Sequence, residues 1–174
     1  MDKVEAPYAE LAREEGYLES LLTFIREGLR RGRIVISGLP ARAYLAARIF
    51  AETEKTILLI VPTEEEAGAA ADSSRFFLKK SGGAGAAPRE RPCVFLLCLP
   101  QPEPFYRSAP DVSKEGERLA ALAALSGNLG PAVVVASAPA LMLKAPPAKR
   151  LIEAIRSVAT GDEISREETE KSLF

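Results

Sequence analysis

Four short runs, in which apolar residues follow one another almost without interruption, constrain the fold more than any other feature of the sequence. Continuous apolar runs are typical of strands buried on both faces, as in a parallel sheet, whereas half-exposed strands alternate apolar and polar residues. Helical stretches at 42–54, 64–79 and 113–126 separate the runs. This alternation predicts an α/β three-layer sandwich: a parallel sheet covered by helices and built from right-handed crossovers. The runs are Ile34–Ser37, Thr56–Val61, Cys93–Leu99 and Ala132–Ala136.

Length and composition are those of an ordinary globular chain with room for one sizeable core. The chain has 174 residues, of which 47% are apolar and 27% charged. A net charge of −1 gives no overall basic surface for nucleic acid or for an anionic membrane. No stretch is long enough to span a bilayer, and the N-terminus lacks the apolar core of a signal peptide. We therefore expect a cytoplasmic protein.

The absence of histidine and the placement of the two cysteines exclude several kinds of chemistry. Without histidine the chain lacks the commonest general base and metal ligand, which excludes Ser-His-Asp and Cys-His hydrolysis. Cys93 and Cys98 lie in one apolar run, and their odd separation would send their side chains to opposite faces of a strand, where they cannot bridge. We interpret both as buried apolar residues. The sequence predicts no catalytic residue, no metal site and no cofactor.

The run Ile34–Ser37 leads through Gly38 into a helical stretch, which is the setting of a phosphate-binding loop. On the pattern G-x-x-x-x-G-K-[ST], only Gly38 matches. Ala43 stands in place of the second glycine, Tyr44 in place of the lysine and Leu45 in place of the hydroxyl. A phenol does not neutralise a phosphate, and leucine does not bind Mg²⁺. Two interpretations stay open: a vestigial loop that no longer holds a nucleotide, and an ordinary glycine turn.

Other local patterns mark helix ends and loops. Leucine and isoleucine at spacings of three and four predict an amphipathic helix from about Tyr8 to Leu29, with a break at Gly16 as an option. The basic cluster Arg30–Arg33 suits the C-terminus of that helix. Thr63–Glu66 forms a capping box, which explains the acidic run better than a catalytic role does. The composition of Lys79–Pro92 predicts a mobile surface loop.

The segment Pro100–Pro110 contains four prolines around two aromatic residues. Phe105, Tyr106 and Arg107 form a candidate partner surface, because an exposed aromatic and basic cluster can stack on a base or bind another protein. The same aromatics can instead pin the segment onto the edge of the sheet. We favour that second interpretation because large aromatic side chains are usually buried.

A domain boundary is expected at Pro146-Pro147, so that residues 1–146 form the first domain and 147–174 begin a second. The second part is predicted to contain a short helix, a weak strand at Ile155–Ala159 and a turn at Gly161. Ser165–Glu168 is a second capping box, and the chain stops at Phe174 soon after that helix begins. A capped helix without a body indicates truncation inside a larger fold.

Taken together, these segments resemble the N-terminal region of the bacterial transcription-repair coupling factor (Mfd) family. That region is itself similar to the first motor-like domain of the excinuclease subunit UvrB. The matching stretches cover nearly the whole chain in the order of the family. They are Arg33–Ala47, Ile57–Ala67, Pro104–Asp111, Glu117–Leu122, Ala132–Met142 and Gly161–Glu168.

The resemblance implies a helicase-like (P-loop, UvrB domain 1-like) fold with a degenerate phosphate loop. The full-length family protein is an ATP-dependent DNA translocase that releases RNA polymerase stalled at DNA damage and recruits UvrA for nucleotide excision repair. Its motor and its working ATP site lie downstream of the segment matched here. The resemblance therefore implies a non-catalytic interaction module. UvrA, RNA polymerase and DNA would be partners of the full-length protein, and this piece would have no tight partner. An inserted domain that docks on UvrA would begin near Pro147.

The alternative is a small nucleotide-binding enzyme with an atypical phosphate loop. Arg42 or Lys55 would then supply the missing positive charge. No hydroxyl that could bind Mg²⁺ follows the loop, and no apolar strand ends in an acidic residue: Ala132–Ala136 is followed by Ser137. The sequence favours the interaction module.

Overall fold

The computed structural model describes residues 14–28, 31–81, 93–99, 112–127, 129–155 and 161. Contacts divide the chain into two compact units, Met1–Lys144 and Ala145–Phe174. No helix in the described ranges is long and apolar enough to cross a membrane. The elements of the described ranges, in chain order, are α1 (Glu14–Arg26), α2 (Leu39–Thr53), β1 (Ile57–Val61), α3 (Glu64–Ser81), β2 (Val94–Leu97), α4 (Val112–Leu125), β3 (Val133–Ser137), α5 (Ala138–Leu141) and α6 (Ala148–Ala154).

The first unit is built on three parallel strands in the order β1-β3-β2. In this register Val133 of the central strand lies opposite Ile57 of β1 and Val94 of β2. All five residues of β3 are buried. This agrees with the continuous apolar run from which the strand was predicted, because a central parallel strand is covered on both faces. The α/β class and the parallel sheet are confirmed.

Two apolar clusters pack on opposite faces of the sheet. On one face α2 and α3 pack against the sheet, and alanines of both helices are buried there. On the other face α4 and α5 cover β3 and β2. The buried residues of the first cluster are Phe50, Val61, Ala67, Ala70, Ala71, Val94, Val133 and Val135. Those of the second are Leu97, Ala121, Ala124, Ala132, Val134, Ala136 and Ala140.

The first apolar run does not form a strand. Residues 31–37 have no regular secondary structure, and the Val35 side chain is 86% exposed. The strand predicted at Ile34–Ser37 is therefore wrong, and β1 lies at an edge of the sheet with Leu58 and Ile60 exposed. The physical reason is that an apolar run can be buried only where a neighbouring strand takes up its backbone N–H and C=O groups. Among the described residues, no strand lies along this run.

The first helix also differs from its prediction. In the described residues α1 runs from Glu14 to Arg26 and passes through Gly16 without a break, while residues 8–13 lie outside the described residues. It ends before Leu29 because Gly28 adopts a φ of 87° and donates its N–H to the carbonyl of Ile25 at 3.2 Å. A glycine in the left-handed conformation therefore ends this helix. The basic cluster at 30–33 comes after this glycine in the sequence.

The remaining helices follow their predictions closely. Thr63 caps α3, because its hydroxyl accepts the N–H of Glu66 at 3.2 Å. This helix extends to Ser81, so Lys79 belongs to the helix and not to the predicted loop; residues 82–92 lie outside the described residues. The helix predicted at 113–126 is confirmed as α4 at Val112–Leu125.

The described part of the second unit is a single short helix and its flanks. α6 begins directly after Pro147, as predicted, and buries Leu151. Gly161 lies in a turn with a φ of 101°, which favours glycine. The predicted strand residues 156–159 and the capping box Ser165–Glu168 lie outside the described residues.

Candidate functional site at the carboxyl edge of the sheet

The topology places a switch point between the carboxyl ends of β1 and β3, the position of the ligand crevice in open α/β sheets. In open parallel α/β sheets, ligands bind where neighbouring strands send their connections to opposite faces. Here β1 leads into α3, whose Ala67 packs in the first cluster, and β3 leads into α5, whose Ala140 packs in the second. The two connections leave on opposite faces. This edge is therefore the candidate functional site of the first unit.

The Glu64 carboxylate spans this edge. Glu64 is the first residue of α3, and its Oε1 accepts the hydroxyl of Ser137 at the end of β3. Its Oε2 accepts the N–H of Leu99, which follows β2, at 3.0 Å. The negative charge also lies at the positive end of the α3 dipole, which is a favourable position for a carboxylate. One side chain thus joins the carboxyl ends of all three strands.

Ser137 is fully buried and uses both of its hydrogen-bonding functions. Its Oγ accepts the N–H of Ala140 at 3.1 Å and so caps α5. Because this bond occupies a lone pair of the oxygen, the hydroxyl proton is the group that reaches Glu64. Both hydrogen-bonding functions of this buried hydroxyl are therefore used within the chain.

Arg118 of α4 ties the end of β2 to α5. Its Nη1 donates to the carbonyl oxygen of Cys98 at 2.9 Å and to that of Ala140 at 3.5 Å. The Cys98 thiol in turn donates to the carbonyl of Lys114 at 3.2 Å. The guanidinium and the thiol are therefore used to hold backbone segments together, since each bonds to a main-chain carbonyl.

The Cys98 thiol is not activated. Burial raises its pKa above the ordinary value, and the charges of Glu117 and Glu64 add to the effect, while a backbone hydrogen bond and Arg118 oppose it. Reactive cysteines have a lowered pKa, because the thiolate is the nucleophile. Both cysteines are free thiols; Cys98 is buried as predicted, whereas Cys93 is only partly buried, so the prediction that both are buried is wrong for Cys93. Among the described residues, no group of three or more His, Cys, Asp or Glu is placed to hold a metal ion.

The residues of the predicted phosphate loop lie in and before α2. Gly38 is the N-cap of this helix with a φ of 82°, a conformation that favours glycine. Because the helix begins at Leu39, the four residues that would wrap around a phosphate are already helical. Ala43 is fully buried, and Leu45 is partly buried in the next turn.

Tyr44 packs away from the carboxyl edge. Its ring makes a T-shaped contact with Phe77 of α3, with the ring centroids 5.1 Å apart. Phe77 lies about 20 Å along the α3 axis from Glu64, at about 1.5 Å per residue. Tyr44, which stands where a phosphate loop has its lysine, therefore lies in an aromatic contact. The structure does not bring it together with Glu64 and Ser137.

The nucleotide-binding alternative relies on the positive charge of either Arg42 or Lys55. Arg42 and Lys55 are both exposed. Arg42 lies in the first turn of α2, whereas Lys55 follows the C-cap residue Glu54 at the other end of the helix. Phe105, Tyr106 and Arg107 lie outside the described residues.

Sequence reasoning missed the contact between Glu64 and Ser137. Glu64 was assigned to the helix cap alone, and Ser137 was noted only because it is not acidic. The available signal was that Ser137 directly follows one buried run and Glu64 comes three residues after another, and carboxyl ends of parallel strands meet at one edge. Comparisons of this chain with protein families, with curated proteins and with solved structures find no match.

Proposed function

We propose that this chain is a non-catalytic interaction module, of the kind that the N-terminal region of transcription-repair coupling factors provides. In that proposal it is a cytoplasmic, helicase-like α/β scaffold with a degenerate phosphate loop, working in nucleotide excision repair. The motor and the ATP site belong to other parts of the full-length protein. The observation that carries the proposal is the start of α2 directly after Gly38.

A phosphate loop binds through backbone N–H groups that its unwound turn and the following helix end leave free. In this chain Pro40 has no N–H, and the N–H of Arg42 already donates to the carbonyl of Gly38 at 3.4 Å. The next turn holds the buried Ala43 and the ring of Tyr44, which packs on Phe77. Too few donors and no central positive charge remain to offset the charge of a triphosphate.

The carboxyl edge supports the same proposal. Its polar groups bond to one another. The Glu64 carboxylate accepts a hydrogen bond from the Ser137 hydroxyl, and Arg118 donates to two main-chain carbonyls. An enzyme needs a nucleophile or an acid–base pair that a substrate can reach. Ser137 is fully buried, and the raised pKa of Cys98 keeps that thiol protonated.

Calorimetric titration with Mg-ATP tests the proposal. We expect no saturable heat with the chain at concentrations where a dissociation constant of ~10 μM, about −7 kcal/mol, would be measured easily. A full-length coupling factor serves as the positive control, because its motor binds ATP. Saturable binding to the present chain in that range would favour the enzyme alternative.

A further inference from the structure

The crevice between β1 and β3 is filled by a side chain of the same chain. We propose that Glu64 is a built-in occupant of this crevice, where the Leu99 N–H and the Ser137 hydroxyl form a site for one small carboxylate. This inference concerns the geometry of the edge and goes beyond the proposed function. It predicts that an external carboxylate binds when the Glu64 carboxylate is removed.

Both donors of the site are fixed by other contacts. The Leu99 N–H reaches Glu64 Oε2 at 3.0 Å. The Ser137 oxygen is held by the Ala140 N–H at 3.1 Å, so its proton stays directed at Glu64 Oε1. Because Ser137 is fully buried, its hydroxyl has no ready water partner when the Glu64 carboxylate is removed, and leaving it unpaired lowers the stability of the folded protein.

Charge makes the site selective for an anion of this shape. The two donors meet the two oxygens of one carboxylate, and hydrogen bonds to an ionised acceptor are stronger than neutral ones. The first turn of α3 adds the positive potential of a helix N-terminus. In the native protein the Glu64 carboxylate already accepts from both donors.

Chemical rescue tests the inference. The Glu64→Ala variant loses the Cγ and carboxylate atoms that acetate replaces. We expect sodium acetate to stabilise this variant saturably relative to sodium chloride at equal ionic strength. With a dissociation constant of ~20 mM, 200 mM acetate raises the folding equilibrium constant about tenfold. The wild type should change less than about twofold under the same conditions, because its site is already occupied.

Two further variants sharpen the test. Glu65→Ala removes a neighbouring charge from the same helix turn, where Glu65 is exposed, and it should show no rescue by acetate. Glu64→Gln keeps the shape of the side chain and should also show none. If Glu64→Ala does not fold in chloride, its recovery on refolding in acetate supports the inference. Failure in both salts while Glu64→Gln folds, or equal stabilisation of wild type and Glu64→Ala, overturns it.

Discussion

Two serines show how much the partner of a buried hydroxyl matters at the residue scale. Ser137 and Ser74 are both fully buried. Ser137 bonds to Glu64 and to the Ala140 N–H, whereas the Ser74 oxygen has no hydrogen-bond partner among the described residues. Burying a hydroxyl is unfavourable unless a hydrogen bond replaces the one it made with water. The same residue type at the same burial is thus expected to have opposite effects on stability.

Replacing these two serines by alanine should separate the effects. Ser137→Ala removes the cap of α5 and leaves Glu64 without one donor, so we expect a loss of about 1–3 kcal/mol in the free energy of unfolding. Ser74→Ala removes an unpaired hydroxyl and should be neutral or stabilising by up to about 1 kcal/mol. Urea unfolding of both variants measures the difference. Equal destabilisation by the two changes would contradict the assigned roles.

Cys98 gives a prediction that depends on pH. Because burial raises its pKa in the folded protein, the folded state keeps the thiol proton while the unfolded chain loses it. The stability from this group is therefore complete below the unfolded pKa, about 8.5, and is lost as the pH rises through the folded pKa. A Cys98→Ala variant should lose less stability than the wild type between neutral pH and about pH 10.

Thiol labelling at pH 8 checks the same assignment. The partly exposed Cys93 should react first, and Cys98 should react at the rate of unfolding. The Cys93→Ala variant is the matched control, since it leaves only the buried thiol to report. Fast labelling of Cys98 in that folded variant would show that the thiol is accessible.

At the scale of elements, the sequence predicted the three sheet strands and α3, because continuous apolar runs and the Thr63 cap are local signals. It did not predict that Ile34–Ser37 stays outside the sheet, since pairing depends on a neighbouring strand. The early start of α2 had a signal, because proline in the first turn suits a helix start. The bond between Glu64 and Ser137 depends on the strand order β1-β3-β2, which apolar patterns do not fix.

Restoring the phosphate-loop motif should not restore nucleotide binding. The triple change Ala43→Gly, Tyr44→Lys and Leu45→Thr completes the pattern G-x-x-x-x-G-K-T that begins at Gly38. We expect Mg-ATP affinity to stay weaker than ~1 mM, because these positions lie inside α2. The change should also lower helix stability by about 1 kcal/mol through the glycine alone.

Ala43→Gly by itself is the matched control for that loss of stability. Calorimetry with Mg-ATP and circular dichroism on both variants give the answer. If the triple variant binds ATP saturably at micromolar concentration, then the three side chains alone explain the lack of ATP binding in the native chain. The helical backbone of α2 would then not prevent ATP binding.

At the scale of the whole molecule, two apolar side chains of the edge strand β1 are exposed. Leu58 is 41% exposed and Ile60 is 54% exposed on the edge strand. Natural proteins usually cover or charge such edges, because unpaired strand groups bind other strands. If the first unit meets a partner, this edge is therefore a better candidate than the crevice that Glu64 fills.

UvrA is the partner that the resemblance implies. The resemblance assigns docking on UvrA to a domain that begins near Pro147. There the described structure contains α6, a helix of seven residues that buries Leu151. A helix of this length is marginal by itself, and a standard interface buries about 800 Å² on each partner. We therefore expect immobilised chain 1–174 to retain no UvrA at micromolar concentration, whereas a full-length coupling factor retains it.

A submicromolar complex between UvrA and this chain would instead show that the first unit carries a docking surface. The Ile60→Lys variant then identifies it, because a lysine on an edge strand blocks strand addition while leaving the buried face of β1 unchanged. Loss of UvrA in that variant, with Glu65→Lys as the control on an exposed helix position, would assign the contact to β1. Retention by both variants would exclude that edge and direct the search to α4, where Leu119 is 52% exposed.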